Sequence, residues 1–463
     1  MNTSDTGYQS RRAFLKRSAA LGLAGSAMPF VTSLAAIGEA AAAVTTDYKA
    51  LVCVFLYGGN DYANTLPPYD QASYNLYQAA RSNIALARNT LDATVLNPVT
   101  ALPGGRQYAL APTLAPLLPI FNAGKIAVAL NVGTLIQPTT KAQYSNNSVP
   151  LPPKLFSHND QQSFWQASNP EGATSGWGGR IGDLFQSGNG SSTLTCINAT
   201  GNAVFLTGRT AIQYSVGTGG PIALLNNGSS LFGSTTAAST LRTLMTGSQA
   251  NIFQSEHARV SKRALDTYAQ VNTALAGAPA ANFTGFPTPN SLADQLKIVA
   301  RLISVSSELG ARRQVFFVSI GGWDMHDALV ANHPTQTGLL ANALKAFYDT
   351  TKTLGVADKV TTFTASDFGR TLQSNDDGSD HGWGSMHFVM GDAVRGQRFY
   401  GTPPAIGNNT PDDVGQGRLL PTMSVDQYAA TLASWFGVSA GDMPTVLPNI
   451  GNYNSSTWNV GFV

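Results

Sequence analysis

Apolar strand-like runs that stop abruptly at an aspartate-bearing turn constrain this chain more than any other feature. Ala50-Leu51-Val52-Cys53-Val54-Phe55-Leu56-Tyr57 runs without polar alternation into Gly58-Gly59-Asn60-Asp61. Gln314–Ile320 leads into Gly321-Gly322-Trp323-Asp324-Met325-His326, and Val360–Ala365 into Ser366-Asp367-Phe368-Gly369-Arg370-Thr371. A strand that never alternates is buried on both faces, the pattern of a parallel sheet covered by helices. A fourth strand is expected at Lys125–Val132, after a helix at Leu114–Ala123, which gives a βαβ rhythm.

Helices are expected at Ile252–Leu275, at Ser291–Leu309 behind the capping-box-like Ser291-x-x-Asp294, at Gly338–Leu354 and at Asp426–Phe436. Between about residues 187 and 247 the composition shifts to Gly, Ser, Thr and Asn, which reads as a loop-rich insertion. The fold class is therefore α/β, with a central, mostly parallel sheet, helices on both faces and that insertion.

Ligands of open α/β sheets bind outside the carboxyl ends of the strands. If the three strands are parallel neighbours, Asp61, Asp324 and Asp367 converge there. Like charges a few ångströms apart in a cleft raise one another's pKa, and a bound divalent cation removes the conflict. Of six histidines, His326 sits in one of these motifs, while Asp380-His381-Gly382 and His387 follow Asp367 closely. His158 lies in a further polar segment, Phe156-Ser157-His158-Asn159-Asp160. Mixed imidazole and carboxylate ligands favour transition metals over magnesium. A pair of such ions would activate a nucleophile and clamp a phosphoryl-type group. Each motif has a plainer alternative: Asp61 as a cap of the next turn, Asp324 as a loop acid, Asp380-His381-Gly382 as a turn.

The N-terminus carries an address. Ser10-Arg11-Arg12-Ala13-Phe14-Leu15-Lys16 precedes a soft, uncharged stretch from Ala19 to Ile37 and a run of alanines, Ala40–Ala43. That is a twin-arginine signal peptide over residues 1–43, with a single domain over 44–463 exported to the periplasm or beyond. The twin-arginine translocase is then a partner during export, and no transmembrane anchor is expected after cleavage. Arg11, Arg12, Lys16 and Arg17 against Asp5 and Glu39 account for the whole net charge of +2. The remainder is neutral, which argues against nucleic acid as a partner. Cys53 and Cys196 are too few for a disulfide scaffold. A single bridge is one option in an oxidising compartment and a core thiol the default.

Together, Gly58-Gly59-Asn60-Asp61, Gly321-Gly322-Trp323-Asp324-x-His326, Ser366-Asp367-Phe368-Gly369-Arg370-Thr371 and Asp380-His381-Gly382-x-Gly384 resemble the twin-arginine-exported family known as domain of unknown function 1501. That family is similar to the alkaline phosphatase and sulfatase superfamily. The resemblance covers nearly all of residues 44–463 and implies an alkaline-phosphatase-like domain. It also implies metal-facing Asp61, Asp324, His326, Asp367 and His381, with Asp380 and His387 as second choices. The metal would be divalent: zinc, manganese or calcium. The nucleophile position falls at Ser157-His158, before a helix, and Arg370 or Arg180 would hold an anionic group. Two departures stand out. No sulfatase Cys/Ser-x-Pro-x-Arg signature surrounds Ser157, and Asp380-His381 comes in the loop beyond Asp367.

Two functions follow as expectations. One is a metal-dependent hydrolase of small anionic esters of phosphate, sulfate or phosphonate. The other is a non-catalytic exported protein that kept the fold to bind a surface polymer or protein.

Overall fold

The computed structural model describes residues 47–224, 230–248 and 250–463. The leader over residues 1–43 lies outside them. Strands β1 (Lys49–Leu56), β2 (Ile126–Gly133), β3 (Cys196–Asn198), β4 (Gln213–Gly217), β5 (Gly220–Pro221), β6 (Arg313–Ile320) and β7 (Val360–Ser366) are followed by a hairpin of β8 (Arg370–Ser374) and β9 (Ser379–His381). The chain then adds β10 (Ser385–Met390), β11 (Arg398–Tyr400) and β12 (Met423–Ser424). The main helices are α1 (Gln71–Arg81), α2 (His158–Ala167), α3 (Trp177–Phe185), α4 (Thr235–Thr246), α5 (Ile252–Ala276), α6 (Ser291–Ser304), α7 (Leu329–Thr353) and α8 (Val425–Phe436).

One mixed sheet organises the described residues, in the order β11-β2-β10-β7-β1-β6-β3-β4-β5 with β12 beside β2. The three aspartate-bearing strands lie side by side and parallel, β7 and β6 flanking β1. Their carboxyl ends therefore share one edge, which brings their turns together. β10 runs antiparallel between β7 and β2, so β2 is not β1's neighbour and the simple βαβ reading of that pair does not hold.

Residues along β1 alternate strictly between two cores. Ala50, Val52, Val54 and Leu56 pack under α6 and α7. Leu51, Cys53 and Phe55 pack under α3 and α8. Both faces are covered, so neither needed polar residues. Cys53 and Cys196 are free and buried in the second core, which fits the core-thiol default rather than a bridge. Burial pushes both thiols up, that of Cys196 to about 12.

Several boundaries shift for local reasons. α6 is capped by Asn290, whose side chain accepts from the Ala293 amide, one residue before the expected Ser291. α8 begins behind a Ser424–Gln427 capping box. α7 starts nine residues before Gly338, at Leu329. The segment expected to be loop-rich supplies β3, β4 and β5, which extend the sheet beyond β6, and its later part forms α4. These strands are only two to five residues long, too short for a periodicity to register.

Candidate functional site

The site lies where β1, β6 and β7 stop. Gly58 makes this crossing possible: its φ is +119°, and a Cβ there would collide with the Asp324 backbone nitrogen arriving from β6. Trp323 donates its amide to the Tyr57 carbonyl at 3.2 Å, tying the two turns together. Asp324 and His326 come from the β6 turn, Asp367 from the end of β7, and Asp380 and His381 from β9. His158 is the first residue of α2.

Three imidazoles converge on Asp324. His158 Nε2 stands 3.3 Å from Asp324 Oδ2, His326 Nε2 3.1 Å from Asp324 Oδ1 and His381 Nε2 3.3 Å from the same oxygen. His326 Nε2 and His381 Nε2 are 2.9 Å apart. In every ring the other nitrogen faces an oxygen of the protein. His158 Nδ1 meets Asp367 Oδ2 at 2.6 Å, His326 Nδ1 meets Asp380 Oδ1 at 3.2 Å and His381 Nδ1 meets the Phe156 carbonyl at 2.7 Å. A carbonyl only accepts, so His381 carries its proton on Nδ1 and presents a lone pair at Nε2. His158 and His326 face a carboxylate on both ring nitrogens, Asp324 at Nε2 and Asp367 or Asp380 at Nδ1, so these contacts do not select one tautomer for them.

That arrangement has an electrostatic consequence. With its proton on Nδ1, His381 turns its Nε2 lone pair toward His326 Nε2 at 2.9 Å and toward Asp324 Oδ1 at 3.3 Å. Either a proton on His326 Nε2 or a metal ion between them meets that lone pair with positive charge. Ligand atoms around a tetrahedral ion with bonds of about 2.0–2.1 Å stand roughly 3.3 Å apart, close to the contacts seen. The outer-face pairing of each ring with a carboxylate or carbonyl is the orienting pattern of metal-binding histidines. Among the described residues, His158, Asp324 and His381 form the group of potential ligands whose atoms lie within 4.8 Å of one another, with His326 outside it. The residues fit a transition metal with nitrogen-rich coordination.

Charge is balanced around them. The Asp324 carboxyl is opposed by burial, yet the Arg370 guanidinium at 2.7 Å and the neighbouring histidines hold it below the usual range. His158 is pushed up by its hydrogen bond to Asp367, against the opposing effect of burial. Burial lowers His381. Asp367 Oδ2 also accepts from the Gly58 amide at 3.1 Å and from Gln162 Nε2 at 2.8 Å. The Phe368 ring lies 4.8 Å from both the His158 and His381 rings and supports them from one side.

Other expected site residues are used differently. Asp61 does not join the cluster. It caps the short helix Tyr62–Thr65 through Asn64, and its Oδ2 receives Arg81 Nη2 at 2.6 Å and Ser379 Oγ at 2.8 Å. Arg370 is fully buried and spends its donors on Asp324, the Gly58 carbonyl and Ser379, so it is not free to hold an anionic ligand. Arg180 is likewise committed to the carbonyls of Val446, Ser175 and Ala167. His387 sits inside the sheet against Trp165 and Tyr428, away from the cluster, and burial pushes it down to about 3. Ser157 precedes α2 as expected, with its hydroxyl donating to Asp160 Oδ2 at 2.9 Å.

Two arginines escaped the sequence reading. Arg81 ends α1, and nothing in its neighbourhood in sequence points to Asp61. Arg418 donates Nε to the His381 carbonyl at 2.8 Å and lies 5.0 Å from the Phe156 ring. Its Nη2 has no protein partner among the described residues. Both lie outside the strand-end motifs, so only contact in space marks them.

A mixed, mostly parallel sheet with a histidine–aspartate cluster at its carboxyl edge defines the class of this α/β protein. The chain belongs to the family described as protein of unknown function (DUF1501), matched over residues 48–442. No curated protein matches it in sequence. Among solved structures it is similar to the lipoteichoic acid synthase LtaP from Listeria monocytogenes, at 10% identity over 89% of this chain and 80% of that one, with a TM-score of 0.33. It is similar to Ps i-CgsB at 10% identity over 88% and 78%, with a TM-score of 0.33. A protein from a glycosaminoglycan metabolism locus of bacteroides thetaiotaomicron matches at 10% identity over 84% and 73%, with a TM-score of 0.31. Likenesses at this level carry no argument about the chemistry of the site.

Proposed function

We propose that the chain is an exported, metal-dependent hydrolase of phosphate, sulfate or related esters, working at the cluster of His158, Asp324, His326 and His381. The observation that carries this reading is the convergence of three Nε2 atoms on one carboxylate, with each ring oriented from behind by an oxygen of the protein. Two imidazole nitrogens and a carboxylate, from His158, His381 and Asp324 with His326 beside them, suit zinc or manganese better than calcium, which takes oxygen ligands. When bound, such an ion supplies Lewis acidity toward the anionic oxygens of an ester.

The chain's own residues supply the rest. Asp367 and Gln162 hold His158 in place, and Arg370 holds Asp324. Arg418, through Nη2, takes the anion-holding role that the sequence suggested for Arg370. Ser157 is the nucleophile: its oxygen bonds to phosphorus or sulfur, its proton passes to Asp160, and the alcohol leaves with a proton from solvent. Water then cleaves the serine ester and restores the hydroxyl. Export rests on the paired arginines of the leader. Among the described residues no helix is long and apolar enough to cross a membrane.

A panel of aryl phosphate, sulfate and phosphonate esters tests the reading, with zinc or manganese added to the protein lacking its leader. Turnover that disappears in Asp324→Ala and His381→Ala supports it. Replacing Arg11 and Arg12 by lysine is expected to leave the precursor in the cytoplasm.

One observation favours a non-catalytic binding protein. Both arginines expected to meet an anion, Arg370 and Arg180, are consumed by internal bonds. A metal-loaded protein inert toward every ester, but retained on a surface polymer, would decide for that alternative.

A further inference from the structure

We infer that the strand-end cluster takes one metal ion rather than two, and that the buried Arg81 guanidinium supplies the positive charge a second ion would bring. The inference rests on the metal reading above and specifies its stoichiometry. Three carboxylates arrive at one sheet edge, and each needs a counter-charge if all are to stay ionised.

The pairing is individual. Asp61 is matched by Arg81 at 2.6 Å, with the two side chains 2% and 0% exposed. Burial opposes the Asp61 charge, but Arg81, His333 and the Asn64 amide together hold its carboxyl below the usual range. Oδ1 accepts from Asn64 and Oδ2 from both Arg81 and Ser379, so neither oxygen is bare. The guanidinium is fixed from its other side by the carbonyls of Thr371 and Leu372, at 3.2 and 3.4 Å. Arg370 stands beside Asp324 at 2.7 Å in the same way, so what sets Asp61 apart is that its side chain is 2% exposed with both oxygens taken by internal donors, whereas that of Asp324 is 43% exposed.

Asp367 is committed to internal donors through one of its oxygens. Three donors converge on its Oδ2, one of them His158, which is thereby turned toward Asp324. Its Oδ1 is buried without a protein partner among the described residues. The ring of the next residue, Phe368, packs on His158 and His381. Neither Asp61 nor Asp367 belongs to the potential ligand group formed by His158, Asp324 and His381. Asp324, with 43% of its side chain exposed, accepts from Arg370 at Oδ1 and turns its two oxygens toward the three Nε2 atoms.

The test counts metal directly. The protein lacking its leader is dialysed against excess zinc, freed of loosely bound metal and analysed for zinc per chain. The same is done with cobalt(II), whose absorption reports the ligand field. One equivalent is expected for the wild type, and a near-complete loss for Asp324→Ala or His381→Ala. Asp61→Asn combined with Arg81→Gln removes both charges and keeps amides that can hydrogen-bond, which spares the fold an unpaired buried charge. It is expected to retain one equivalent and an unchanged cobalt spectrum. Two equivalents in the wild type, or metal lost from the folded double variant, would overturn the single-ion inference alone. A wild type that binds no metal overturns the hydrolase reading together with it.

Discussion

Arg370 donates Nη1 to Asp324 Oδ1 at 2.7 Å and to the Gly58 carbonyl at 2.9 Å, so one guanidinium joins the turns after β1 and β6 from its own place on β8. Nε and Nη2 end on Ser379. The group positions a carboxylate instead of meeting a ligand. Arg370→Met is therefore expected to lower stability by about 3 kcal/mol, because it leaves carbonyls and a carboxylate without their donor. Urea unfolding checks this. A variant of wild-type stability whose only defect is a raised KM would contradict the positioning role.

On the metal reading proposed above, Asp367 would act on a bound ion through His158. In Asp367→Asn the amide oxygen still accepts from Gly58 and Gln162, but the negative charge behind the imidazole is gone. Zinc affinity is expected to fall by about 10–100-fold, measured by competition with a chromophoric chelator, while the fold survives. Unchanged affinity would mean that His158 does not bind the ion.

Arg418 is expected to act on the ester alone. Arg418→Met should keep its metal content and raise KM by about 10–100-fold, the loss of one charge-assisted hydrogen bond. Loss of metal in this variant would instead show that its bond to the His381 carbonyl is what matters.

Acid should unfold the protein through two buried histidines. Burial pushes His333 down to about 4 and His387 down to about 3, from an ordinary value of 6.5. The unfolded chain therefore binds protons that the folded one refuses. Stability is full above about pH 6.5 and declines as the pH falls toward 4 and then 3. The slope approaches about 1.4 kcal/mol per pH unit for each histidine. His387→Leu should roughly halve the slope from about pH 6.5 down to 4 and remove this contribution between 4 and 3, measured by thermal unfolding between pH 7 and 3. A curve superimposable on the wild type would exclude His387 as a source.

Cys53 and Cys196 should behave as core thiols. Both are free and buried, so reductant is expected to leave Tm unchanged, and two thiols per chain should react with a thiol reagent only after unfolding. A Tm that falls with reductant would reveal a bridge.

The sequence by itself determined the sheet's centre and the place of the site. Continuous apolar runs dictate strands covered on both faces, and β1, β6 and β7 lie adjacent and parallel with their aspartate-bearing turns at one edge. It also supplied the histidines, since Asp324, His326, Asp380 and His381 fall within or close behind those turns. The tertiary structure alone decided which carboxylate faces the cluster. Asp61 and Asp324 have the same local signature, an aspartate after paired glycines at a strand end. Arg81 reaches one of them across 20 positions and Arg370 reaches the other across 46. His387 shows the same limit, because its β10 position turns it into the core while His381, six residues earlier, faces the site. Ligand geometry depends on donors that meet only after the chain has closed on itself, and spacing along a single chain does not encode those meetings.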